Sequence, residues 1–159
     1  MQLCLLLGAV QDSERRAKAI EDAVAEFSVP QPIHERLQQL PGVGKILSMV
    51  IALETGDISR FANAGCFASY CRTVPSRRDS NHKKKGENNR RNGNPYLAWA
   101  LMEAATMATR HEPQIQAWYE RKKRQTNSIV ARKALASKMA KAAWHVMNGK
   151  VFEVKMLFG

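Results

Sequence analysis

The sequence predicts a mainly α protein: a compact helical domain with a helix-hairpin-helix motif, a long basic loop holding a short hairpin, and an N-terminal helical arm. Three observations lead there. Apolar residues recur at three- and four-residue spacing along most of the chain. No strand-like alternation appears outside one polar stretch. Of the 159 residues, 45% are apolar, enough to bury a core and to exclude global disorder. The length suits one domain with an arm, and the expected boundary gives an arm at 1–30 and a domain at 31–159.

The elements follow in order. Residues 13–27, "SERRAKAIEDAVAEF", set Ile20, Val24 and Phe27 on one helical face, with Ser13 as the expected N-cap. The preceding "MQLCLLLGAV" lacks a positive leader region and a small-residue cleavage site, so it reads as a buried helix start. Pro30 and Pro32 break the arm. "IHERLQQL" aligns Ile33, Leu37 and Leu40, and "PGVG" follows. "KILSMVIALETGD" then carries an Ile46, Met49, Val50 and Leu53 stripe ending at a Gly56 C-cap. Two helices around a Pro-Gly-x-Gly turn make the helix-hairpin-helix pattern, at 33–56.

"SRFANAGCFASYCRT" is a further short helix with Phe61, Phe67 and Tyr70 as core aromatics. "YLAWALMEAATMATRH" buries Leu97, Leu101, Ala104, Ala105 and Ala108. Pro113 interrupts, "QIQAWYERKKRQ" resumes as a basic helix, and residues 128–150 give the last long helix. Its buried side carries Val130 or Ala131, then Leu135, Met139, Ala142 and Val146, and Asn148-Gly149 stops it. Trp99, Trp118 and Trp144 sit on apolar faces and read as core; His34, His111 and His145 read as surface or core residues.

Charge narrows the function. The chain carries +11, but residues 1–60 are net −2, leaving +13 for residues 61–159. A basic half on a neutral scaffold points to a polyanion, because each Lys or Arg that neutralises a phosphate releases a condensed counterion. No long apolar span or basic amphipathic anchor argues for a membrane. Three cysteines in no disulfide-like pattern suit a reducing cytosol. Cys66, Cys71 and His82 lack a fourth ligand at a familiar zinc spacing, so no metal site is assigned.

Three pieces carry candidate chemistry. In "PGVG", the amides of Val43, Gly44 and Lys45 are expected to lie free at a helix N-terminus beside Gly42, where partial positive charge favours a phosphate oxygen. Between residues 72 and 92 stand eight basic residues (Arg72, Arg77, Arg78, Lys83, Lys84, Lys85, Arg90 and Arg91) and two acidic ones. Ser76 and Ser80 lie within that stretch, and the residues alone do not rank them as nucleophiles. The third piece runs from position 121 to 141, with eight basic residues and no acid, beginning Arg121, Lys122, Lys123 and Arg124.

The order "PGVG", "GDISRF", "FASYCR", "DSN…KKKG", "NGNPYLAWALMEAA" and "YERKKRQTNSIVARKALASKMAKAAW" resembles the C-terminal transposase domain of the insertion-sequence one-ten family. The similarity is closest to its eleven-eleven branch, related to Piv-type DNA invertases, and covers roughly residues 37–151. The resemblance implies a serine that attacks a DNA phosphodiester and holds the broken strand, and by position that serine is Ser80, with Ser76 the weaker candidate. Many relatives have Gly where this chain has Asn81-His82. It also implies a RuvC-like domain holding a divalent metal such as Mg. Residues 1–30 have no room for that fold and resemble the tail of a coiled-coil linker, so the metal domain is expected on another chain.

The expected partners are therefore double-stranded DNA, a structured guide RNA, and a second copy met through the N-terminal helix. The expected location is the bacterial cytoplasm, at the nucleoid. The competing expectation is a non-enzymatic helix-hairpin-helix module that binds nucleic acid for architecture or regulation.

Overall fold

The computed structural model describes residues 2–27, 32–74, 77–80, 83–87 and 92–158. Eight α-helices, one 3-10 turn and one two-stranded hairpin appear among them, so the protein is mainly α as the periodicity predicts. The chain divides into two compact units, Met1–Gln31 and Pro32–Gly159.

The first unit is a single helix, α1 (Gln2–Phe27). It corrects two expectations. Ser13 does not cap a helix start; it lies mid-helix, where its hydroxyl donates to the Ala9 carbonyl at 2.8 Å. The leucine-rich opening is also not buried, since Leu3, Leu5, Leu6, Leu7 and Val10 all face solvent, Leu3 at 71% exposure.

In the second unit, α2 (Pro32–Leu37) leads through a turn at 38–44 into α3 (Lys45–Thr55). A 3-10 turn (Ile58–Arg60) and α4 (Ala64–Tyr70) follow. The hairpin β1 (Arg77–Ser80) and β2 (Lys83–Glu87) interrupts the helices. The chain then forms α5 (Pro95–His111), α6 (Pro113–Gln125), α7 (Ser128–Met147) and α8 (Val154–Phe158).

The sequence places a polar cap at most starts. Asn63, Asn94, Glu112 and Asn127 accept amide protons at the beginnings of α4, α5, α6 and α7, and prolines occupy the first turns of α5 and α6. Asp57 starts the 3-10 turn by accepting from the Ser59 hydroxyl (2.7 Å) and amide (2.8 Å), which hold its carboxyl below the usual range. α3 differs: Gly44 at its cap has no side chain to offer.

α5 and α7 form the centre. α5 buries Leu97, Ala100, Leu101, Ala104, Ala105 and Ala108; α7 buries Ala131, Leu135, Ala136, Met139, Ala140, Ala143 and Val146. Alanine on both faces lets the backbones approach closely, while each large apolar side chain fully buried adds about 1.5–3 kcal/mol. α3 and α6 pack on α5, and α4, α2 and α6 pack on α7. Phe67 is fully buried, with the half-buried Phe61 ring edge-on to it at 5.1 Å.

The α3 stripe lies elsewhere than predicted. Ser48, Ile51 and Thr55 face the core, while Ile46 and Leu53 are exposed. Trp99 also departs from the core assignment at 51% exposure, because it lies across α5 from the Leu97–Leu101–Ala104 face. Trp118 and Trp144 are half-buried, and Trp144 Nε1 donates to the Phe61 carbonyl at 3.3 Å.

Candidate nucleic-acid interface

The hairpin pairs Arg77 with Glu87, Arg78 with Gly86, Asp79 with Lys84 and Ser80 with Lys83. Its register shifts between Arg78 and Asp79, leaving Lys85 as the extra residue on β2. Ser80 thus ends β1 opposite Lys83. Ser76, His82, Arg90 and Arg91 lie outside the described residues.

A buckle closes the insertion at its base. Arg72, in a left-handed conformation (φ 56°), donates from Nε to the Asn92 carbonyl at 2.8 Å and from Nη2 to the Gly93 carbonyl at 2.9 Å. Gly93 (φ 84°) presses against the Tyr70 carbonyl, leaving no room for a Cβ. The Asn94 amide donates to that carbonyl at 2.8 Å. The Asn94 side chain caps α5 through Oδ1 and donates from Nδ2 to Glu54 Oε2 at 2.6 Å. Arg72 was read from sequence as one charge among eight; its guanidinium is directed at two carbonyls. Asn94 and Glu54 escaped sequence reading altogether. The Asn-Pro pair marks a helix cap, but nothing in the chain signals a partner forty residues away.

In the α2–α3 turn, the two glycines have different tasks. Gly42 (φ 80°) lies against α5, where an added Cβ would fall 2.6 Å from the Ala108 nitrogen and nearer still to the Ala104 carbonyl. Close approach is needed there, but to the protein's own helix. Val43 is buried and its amide donates to the Leu40 carbonyl at 3.0 Å, which corrects the expectation of a free amide. Gly44 has open space around its Cα and, with Lys45, is exposed. Neither of these two amides donates to a backbone carbonyl among the described residues. Any phosphate contact at this turn therefore falls to Gly44, Lys45 and the first turn of α3.

On α6, Arg121, Lys123 and Arg124 are exposed and Lys122 is half-buried. Lys123 pairs with Glu120 at 3.3 Å, an exposed contact that contributes little. These cations also complement the C-terminal dipole of α6.

The remaining titratable groups argue for structure. Burial pushes the Cys71 thiol up to about 12, while Cys66 is exposed, so the two do not form a thiolate pair. Among the described residues no group of three or more His, Cys, Asp or Glu could hold a metal ion. The divalent metal that the resemblance implies has no donor set among the described residues. No described helix is long and apolar enough to cross a membrane.

His145 Nδ1 is buried without a hydrogen-bond partner, and desolvation, then Lys150, lowers its pKa from 6.5. Below pH 6.5 the unfolded chain takes up a proton that the folded protein resists, so stability falls as pH drops through that value. Thermal melts between pH 8 and 5 should show this loss, reduced in His145→Gln; an unchanged pH profile in that variant would refute the assignment.

A family model described as "Transposase IS116/IS110/IS902 family" matches residues 34–120, from α2 through the hairpin to α6. The chain belongs to the IS116/IS110/IS902 transposase family. It is also similar to the insertion element IS110 uncharacterized 43.6 kDa protein of Streptomyces coelicolor, at 29% identity over 117 residues. That alignment covers 74% of this chain and 28% of the relative, so the chain spans little more than a quarter of that protein's length. The matched segment of this transposase-family chain contains the α2–α3 turn, the Arg72–Asn94 buckle and the hairpin.

Proposed function

We propose that this chain is the DNA-binding, serine-bearing C-terminal domain of a transposase related to Piv-type invertases, with Ser80 as the nucleophile. The observation that carries the reading is the position of Ser80: it ends β1 opposite Lys83, in a basic hairpin within the family-matched segment. In the reaction, Ser80 Oγ bonds to the phosphorus of a DNA phosphodiester. A bridging ester oxygen departs, taking up a proton in place of the one the serine loses, and the broken strand is held as a phosphoserine. Arg77, Arg78, Lys83, Lys84 and Lys85 supply positive charge along the backbone and at the phosphoryl group. Gly44 and Lys45 add a sequence-independent phosphate contact from the start of α3. A RuvC-like domain outside residues 1–159 supplies the divalent metal, and a structured RNA is a further partner.

The oligomer forms through α1. Leu3, Leu6, Val10, Ser13, Ala17, Ile20 and Val24 follow the alternating three- and four-residue spacing of a heptad seam, interrupted by the polar Ser13. Of these, Leu3, Leu6, Val10, Ile20 and Val24 are exposed large side chains. A second copy covers that seam. The rival reading, a non-enzymatic DNA-binding module, uses the same α2–α3 turn and predicts binding without a covalent adduct.

Duplex binding measured against salt tests the partner. Affinity should fall as salt rises, and Lys83→Ala, Lys84→Ala and Lys85→Ala combined should make the log–log slope shallower by about 2.7. Salt-independent binding would sink both readings.

A further inference from the structure

A groove of about 620 Å³ runs between α6 and α7, with no residue of α3 in its lining. Its lining includes Lys122, Lys133, Lys138 and Lys141, with Trp118, Ile129 and Val130 among them, and no carboxylate. Thr73, next to Arg72 at the base of the hairpin insertion, also lines it. Lys138 is already engaged: its Nζ donates to the Leu157 carbonyl at 2.6 Å and lies 5.4 Å from the Trp118 ring. Desolvation, and then the charge of Lys141, lowers its pKa. The other three lysines have no salt bridge among the described residues.

The apolar lining is as telling as the charge. Ile129 is 77% exposed and Val130 46%, in a stretch that carries eight basic residues and no acid from 121 to 141. A duplex presents mainly phosphates and sugars to such a surface and would leave these side chains without apolar partners. A single strand presents phosphates on one side and unstacked bases on the other, the combination that a basic groove with an apolar wall accommodates.

We propose that the α6–α7 groove binds a single strand of nucleic acid, its phosphates against Lys122, Lys133 and Lys141 and its bases against Ile129, Val130 and Trp118. Since Thr73 lies at the base of the insertion, a strand in the groove is led toward the hairpin. The inference rests on the reading that the protein handles nucleic acid, but uses residues outside the proposed serine site.

Fluorescence anisotropy with an oligothymidine of about twelve nucleotides, beside a duplex of the same length, tests it. Lys133→Gln combined with Lys141→Gln should weaken single-strand binding on the order of tenfold and make its salt slope shallower by about 1.4, leaving duplex affinity within about twofold. Ile129→Ser, at a solvent-facing position, should weaken the single strand alone. Trp118→Phe should remove the quenching of protein fluorescence by the oligonucleotide. Equal losses for duplex and single strand, or groove variants that melt and bind like the wild type, overturn the groove while leaving the proposed function standing. A wild-type protein that binds neither probe removes both.

Discussion

Gly42→Ala is expected to cost about 3–5 kcal/mol, since it adds backbone strain at a positive φ to a steric clash in a packed contact. The new Cβ would meet the backbone of α5 at Ala104 and Ala108, and both of those residues are fully buried. Backbone atoms in the middle of a central helix cannot move aside as a flexible side chain does, so the turn and α5 must separate. Thermal melts should show a fall on the order of 10 °C. Gly44→Ala, two residues on, is the control: its φ of −87° suits any residue, and nothing lies within 4 Å of the new methyl. That variant should lose less than about 1 kcal/mol. Equal tolerance of both substitutions would show that the turn does not pack as described.

Asn94→Ala should be the second large loss, about 2–4 kcal/mol, combining a lost helix cap with a broken bond to a carboxylate. Asn94 is 9% exposed; it caps α5 through the Tyr96 and Leu97 amides and ties it to Glu54 on α3. Asn94→Ser keeps a capping oxygen without the reach to Glu54, and should recover about half the loss. Asn94→Ala keeps the backbone amide that donates to the Tyr70 carbonyl. The insertion is released instead by Arg72→Ala, which removes both guanidinium bonds at its base and should speed trypsin cleavage within residues 73–94 ahead of global unfolding. Cleavage at the wild-type rate would mean that the buckle does not hold the insertion.

The long alanine-rich helices were legible because their small and large apolar residues repeat on one face: Leu97, Leu101, Ala104 and Ala108 are all fully buried. α3 was not legible in the same way. Apolar residues surround it on nearly every side, so periodicity cannot set its phase, and two of its core positions are the polar Ser48 and Thr55. The hydroxyl of Ser48 is satisfied locally by the Lys45 carbonyl at 2.8 Å, which makes its burial tolerable. Ser13 misled because a hydroxyl that favours caps can also bond back to the preceding turn.

At the candidate interface, composition identified the basic insertion but not its anchorage. Charge is a property of residue type, whereas the Arg72 buckle depends on a left-handed backbone and on carbonyls twenty and twenty-one residues away. The same limit hid the division of labour between Gly42 and Gly44. Both glycines permit close approach, and only the position of α5 decides which one is approached and by what.

The central claim, that Ser80 carries the broken strand, has a direct measurement. The chain is combined with the metal domain of a full-length family member, divalent metal, that element's RNA and end-labelled DNA, and resolved on a denaturing gel. The account predicts a covalent protein–DNA adduct that persists in Ser76→Ala and disappears in Ser80→Ala. An adduct that survives Ser80→Ala would contradict it.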